Sequence, residues 1–282
     1  MDILGYSSYR WLPSTLYLLL LLVLSLKPKA QEESWSFTAL VKGVVFLILL
    51  VHGVVLYDSV FTEQGFVFGF AQDLSLVAWV GLTFYWFQSW FLPISSLRWL
   101  TLLFAMICAV LPCVFSGGLI SPKAVSDPWF KAHFVVAAVS VGLLSLAAMH
   151  ALLMSLQDSA LHRHPSQVPT GRAAQWLEEL PPLMTMESLL FNLLYAGFTL
   201  LTLTVFSGLF FSQALFDRPL VFDHKTIFAL VSWSLFAGLL VARWRVGLRG
   251  RTALRWILSA YVALLLAYAG SRFVMEVILH RT

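Results

Sequence analysis

Eight separate stretches of this sequence are apolar for long enough to cross a lipid bilayer, and that repetition leaves few folds open. They cover residues 12–27, 37–58, 71–91, 97–115, 129–156, 187–213, 224–246 and 254–277. A hydrocarbon core about 30 Å thick takes about 20 helical residues, whereas a membrane strand needs only about ten. Inside that core the backbone must satisfy its own N–H and C=O groups, which helices do within each segment. The expected fold is therefore all-α: a polytopic transmembrane helix bundle of about eight spans, forming a single integral membrane domain over residues 1–282. Composition argues against buried helices of a water-soluble domain. Only 11% of the residues are charged, where a soluble domain carries about a quarter. The fifth stretch is too long for a simple span and is expected to project from the membrane as a helical stalk.

Orientation follows from the basic residues that flank the spans. Lys27 and Lys29 follow the first span, Arg98 the third, and Arg163 and Arg172 the fifth. The connection after the seventh carries Arg243, Arg245, Arg249, Arg251 and Arg255. The alternate connections are poorer in cations: the one after the second span has Asp58, Glu63 and Asp73 but no Lys or Arg. Lys123 and Lys131 dissent. The basic connections are expected to face the cytoplasm, with both termini outside, which in a bacterium is the periplasm. The expected location is the bacterial inner membrane, multi-pass.

Polar chain outside the spans is scarce. Residues 157–186 form the longest such segment, read as a cytoplasmic loop containing a short amphipathic helix in "AAQWLEEL". Thr185 is a possible cap for the sixth span, with Glu187 in its first turn. No cleavable signal peptide is expected, because the first apolar stretch is followed by Lys27, Pro28 and Lys29 rather than by small residues. Cys108 and Cys113 fall on different helical faces and do not form a Cys-x-x-Cys redox pair. The arginines sit beside spans, not in a separate basic domain, so no nucleic-acid partner is implied. The bilayer itself is the first partner.

Three histidines share one depth. With helices rising 1.5 Å per residue, His52 lies about 9 Å and His133 about 7 Å inside the outer boundary, and His224 opens the seventh span. Ionisable residues inside a membrane are functional candidates by default, and neutral imidazole is a common metal ligand. His52, His133 and His224 are thus candidate ligands for a haem iron. The competing role is ordinary: a membrane histidine also hydrogen-bonds a neighbouring helix. His150, His162, His164 and His280 are weaker candidates by position. Arg272 lies near the outer end of the eighth span. It either pairs with Glu276 one turn later or meets an anionic group such as a haem propionate through its two-pronged guanidinium. Trp79, Trp86, Trp90 and Trp129 fit either an aromatic belt or the flanks of a macrocycle. Ala138, Gly142, Ser145, Gly197, Ser207 and Gly208 allow close helix packing.

Four stretches carry a resemblance: "DPWFKAHFVVAAVSVGLLSLAAMHALLM", "LPPLMTMESLLFNLLYAGFTLLTLTVFSGLFF", "FDHKTIFALVSWSLFAGLLVARWRVGLRGR" and "LAYAGSRFVMEVIL". Together they resemble the cytochrome c assembly membrane proteins of the CcsA and HemX type, most like the compact YpjD-like inner-membrane branch, over about residues 45–279. The resemblance implies a bundle that binds haem on its periplasmic side, with histidines as axial ligands around a tryptophan-rich segment. His133 matches the histidine that opens the first shared helix. "FDHKTIFALVSW" occupies the place of the tryptophan-rich signature, with Lys225 and Trp233 matching the ends of that pattern. The signature's opening tryptophans are absent, His224 stands where proline is usual, and the large periplasmic loop of the full synthases is missing.

These departures favour haem binding, delivery or an accessory role over ligation of haem to apocytochrome c, so an assembly or transport factor is expected rather than an enzyme. Haem is the implied cofactor, with His52, His133, His224, Arg272 and Trp233 as its candidate contacts. Other cytochrome c assembly proteins are implied partners. The alternative is a membrane regulator or scaffold of haem biosynthesis that meets a cytoplasmic enzyme through its inner loops. A transporter for another small molecule is the third reading.

Overall fold

The computed structural model describes residues 9–26, 35–63, 65–92, 94–95, 97–115, 117–120, 126–161, 180–216 and 224–279, without the side chains of 35, 161 and 209–216. The amphipathic helix expected in "AAQWLEEL" and the segments holding His162, His164 and His280 lie outside the described residues.

Within them the chain is a bundle of eight long helices. After a 3-10 turn at Tyr9–Trp11 come α1 (Leu12–Leu26), α2 (Trp35–Val60), α3 (Phe70–Gln88) and α4 (Leu97–Val114). The second half holds α5 (Pro128–Leu161), α6 (Leu183–Phe216), α7 (His224–Val246) and α8, which starts at Gly250 and continues to Ile278. Seven of these are long and apolar enough to span a membrane. The exception is α3, whose first turn contains Gln72 and Asp73. The sequence placed Asp73 in a connection; it is instead inside the helix and 3% exposed.

The central post is α5. Of its best span, 72% is buried, against 39% or less in the other six. It starts sharply: Asp127 accepts a hydrogen bond from the Trp129 N–H at 2.7 Å, the N-cap arrangement, and Pro128 takes the first helical position, where its missing N–H costs nothing. Small residues then let neighbouring backbones close in. A Cβ on Gly142 would lie 2.5 Å from Val80 of α3, and one on Gly197 of α6 would lie 2.8 Å from Leu144. Ser140 donates to the Gly197 carbonyl at 3.0 Å, so the α5–α6 seam combines close approach with a buried hydrogen bond. Both helices have 34 residues, and α6 therefore matches α5 in length rather than ending as a simple span. Thr185 is not a cap, because α6 begins two residues earlier at Leu183.

At the end assigned to the outside, the connections form a small antiparallel sheet in the order β1 (Phe61–Thr62), β2 (Gly65–Phe68), β3 (Gly118–Leu119). The tight turn between β1 and β2 uses Gly65 at φ +122°, a conformation open to glycine. Strand β2 leads directly into α3. Immediately after it Gly69 and Gly117 touch: a Cβ on Gly117 would sit 2.6 Å from the Gly69 nitrogen. The strap thereby pins the connection after α4 to the start of α3.

The C-terminal end of α8 widens. The Ser271 N–H bonds the Leu266 carbonyl and the Leu279 N–H bonds the Val274 carbonyl at 2.9 Å, both five residues back. Such π turns are rare and concentrate where a helix serves a site. They bracket the single ordinary turn at Ser271–Phe273 that carries Arg272.

Candidate functional site

The widened end of α8 meets the start of α3 in a compact polar centre. Arg272 Nε lies 3.3 Å from Asp73 Oδ2, and Arg272 Nη1 donates to the Phe68 carbonyl at 2.9 Å. Its guanidinium also stands 5.3 Å from the centre of the Phe68 ring. The Phe70 N–H donates to Glu276 Oε2 at 3.3 Å, and the Gly69 N–H donates to Gln72 Oε1 at 3.1 Å. Tyr268 is turned to the same Asp73 carboxylate. Two backbone donors at the start of α3, the Gly69 and Phe70 N–H groups, thus find side-chain oxygens, as a buried helix end favours.

This geometry corrects the intrahelical alternative for Arg272. Its ion-pair partner is Asp73, on another helix, while Glu276 caps α3. Tyr268 was not singled out from sequence, Asp73 was read only as a charge in a connection, and Ser207 only as a small packing residue. A carboxylate inside an otherwise apolar helix was the signal that could have found Asp73.

His133 sits beside this centre on the first turns of α5, half-buried, and its Nδ1 is 2.8 Å from the Ser207 hydroxyl of α6. Gly208 follows Ser207, and a Cβ there would come within 3.4 Å of His133 Cε1. Lys225, in the first turn of α7, places its charge within electrostatic reach of both His133 and Asp73. Five helices therefore converge: α3 gives Asp73, α5 His133, α6 Ser207, α7 Lys225 and α8 Arg272.

The other predicted residues go elsewhere. His52 is 1% exposed and bridges three helices. Its Nδ1 is 3.0 Å from the Tyr17 hydroxyl of α1 and its Nε2 is 2.9 Å from the Ser75 hydroxyl of α3. A neutral imidazole has one donor and one acceptor, and both are used. His224 is exposed at the start of α7. Trp233 donates to Thr202 Oγ1 at 3.0 Å and stacks on Phe198 at 5.9 Å, joining α7 to α6. Among the described residues, His52 and His133 thus share no hydrogen-bond partner. Trp79 and Trp86 bond carbonyls of α2, at Leu49 and Lys42, each at 2.8 Å. Trp90 and Trp129 are exposed, at 53% and 68%, as aromatic-belt residues are.

A second feature borders α5 on a different face. An apolar groove of about 660 Å³ runs between α2, α3 and α5, lined by residues that include Gly53, Trp79, Phe66, Phe68, Phe130 and Phe134, with Lys131 among them. Its volume lies within the range of about 300–1,000 Å³ typical of small-molecule sites.

The residues near His133 fit a haem on chemical grounds. A metal-binding imidazole is ordinarily held at its other nitrogen by a fixed partner, and Ser207 holds His133 at Nδ1. Anionic propionates require cations, and Lys225 and Arg272 stand at the same end. Gly208 keeps a side chain away from the imidazole edge. His52 fits less well, because binding iron would cost it one of two buried hydrogen bonds.

Comparison with known proteins identifies relatives and a family. The chain is 35% identical over 151 residues to an uncharacterized 28.8 kDa protein in the nifR3-like 5′ region of Azospirillum brasilense, covering 54% of this chain and 53% of that one. It is 31% identical over 153 residues to the inner membrane protein YpjD of Escherichia coli strain K12, covering 54% of each. The chain spans about half the length of these curated relatives. The family described as Cytochrome C assembly protein matches residues 40–279, a range that contains the α3–α8 polar centre and His133. This chain belongs to the cytochrome c assembly protein family.

Proposed function

We propose that this protein handles haem at the outer face of the bacterial inner membrane in the service of cytochrome c biogenesis, as a binding or delivery factor rather than an enzyme. The observation that carries the reading is His133, held at Nδ1 by Ser207 where five helices converge and where Lys225 and Arg272 supply positive charge. The family match and the inner-membrane relative support the same assignment.

The residues divide the work. His133 presents an imidazole whose tautomer and ring plane are set by Ser207. Lys225 and Arg272 neutralise anionic groups at the rim. Asp73 keeps Arg272 extended across the gap between α8 and α3, so that the cation is oriented before any ligand arrives. Bound haem would supply an iron that an imidazole of this chain could hold. Of the three candidate histidines, His133 is the one we assign to it; His52 is assigned to holding α1, α2 and α3 together.

Absorption spectroscopy of the purified protein tests this. Wild type expressed with adequate haem supply should show a Soret band, and His133→Ala should lose most of it at equal protein yield. A wild type that stays free of haem when haem is supplied, or a His133→Ala protein with an unchanged spectrum, would overturn the assignment.

A further inference from the structure

At the opposite end of the bundle, the first turns of α8 and the last turns of α5 enclose a second cavity. It has a volume of about 240 Å³ and is lined by Ser155, Asp158, Ser159, Arg251 and Arg255. Every lining side chain is polar. Arg251 Nε is paired with Asp158. Arg255 is exposed and makes no hydrogen bond or ion pair among the described residues. The cleft therefore holds one neutralised pair, one uncommitted guanidinium and two hydroxyl donors. That donor set suits a singly charged oxyanion, since guanidinium and hydroxyl groups both donate to phosphate oxygens.

Its surroundings sharpen the class of ligand. Glu187 takes Arg243 at 2.5 Å and Arg249 at 3.3 Å. Among the described residues, five arginines at this end thus face two carboxylates, Glu187 and Asp158. Trp244 is 77% exposed on the adjacent end of α7, and Trp256 follows Arg255 on α8. Exposed tryptophan beside arginine marks the headgroup level of a bilayer. The cavity opens between the ends of α5 and α8 among these arginines, and basic pockets between membrane helices hold anionic lipid headgroups.

We propose that the cleft between the ends of α5 and α8 binds the phosphate of an anionic phospholipid, with Arg255 as its principal cation, Arg251 as support and Ser155 and Ser159 as donors. The site is separate from the haem reading and does not depend on it.

The test is native mass spectrometry of the full-length protein released from nanodiscs of phosphatidylcholine with and without phosphatidylglycerol. Wild type should retain phosphatidylglycerol selectively. Arg255→Ala should retain about fivefold less, the effect of one arginine at a membrane surface, and Arg255→Lys should recover most of the binding. Arg245→Ala, which removes an exposed arginine that does not line the cleft, should behave as wild type. Retention by Arg255→Ala equal to wild type would overturn the proposal. So would an equal loss in Arg245→Ala, because diffuse charge and not the cleft would then be responsible. Inorganic phosphate added to phosphatidylcholine nanodiscs separates the two sources of phosphate. No phosphate adduct is expected; one that depends on Arg255 would replace the lipid with free phosphate.

Discussion

Arg272 and Asp73 form an ion pair between the last helix and the third, Nε to Oδ2 at 3.3 Å, at the end of the bundle that carries the β1–β3 strap. Asp73 is 3% exposed and the Arg272 side chain 29%. Removing the cation leaves a buried carboxylate without its partner, which in a fully buried pair costs about 3–5 kcal/mol. Partial exposure of Arg272 discounts that figure, and we expect Arg272→Leu to destabilise by on the order of 2 kcal/mol. Adding Asp73→Asn should recover most of the loss, because the orphaned charge is gone. A thermal-unfolding cycle in detergent reads both effects. Additive losses in the double mutant would show that the two residues stabilise the bundle independently.

This pair also marks where sequence reasoning stopped. Segment lengths gave the eight helices to within a few residues, because a run of apolar side chains is a local property. Arg272 was singled out for the same reason: it is a charge in an apolar run. Its partner was not legible, since Asp73 lies on another helix and only packing decides which charges meet. The π turns that aim Arg272 were also invisible, because Leu266–Gly270 and Val274–Ile278 carry no Pro or other mark of a changed hydrogen-bond pattern. The common depth of His52, His133 and His224 followed from counting residues, whereas the direction each imidazole faces depends on helix rotation within the bundle. The strap β1–β3 was missed because its strands are only two to four residues long.

His52 should behave as a structural residue. His52→Ala opens a cavity and strands the hydroxyls of Tyr17 and Ser75, and we expect a loss of on the order of 2–4 kcal/mol. Haem content per folded molecule should stay near wild type. A His52→Ala protein with normal stability and no Soret band would make His52 a ligand instead.

Orientation can be checked at the C-terminal side of α8. The five arginines between Arg243 and Arg255 favour the cytoplasm for the N-terminal end of α8, which would leave its C-terminal end outside. A reporter fused after Leu279 that works only outside the cytoplasm should be active, and one inserted in the connection between α5 and α6 should be silent. The reverse pattern would place His133 and Arg272 on the cytoplasmic side.

His133 is the proposed iron ligand, and chemical rescue tests that role most directly. His133→Gly removes the imidazole and leaves a gap beside Ser207 and Gly208. The purified variant, supplied with haem, should lack the Soret band of the wild type, and added imidazole should restore it in a saturable manner. A His133→Gly protein that keeps the wild-type Soret band without imidazole would contradict the account.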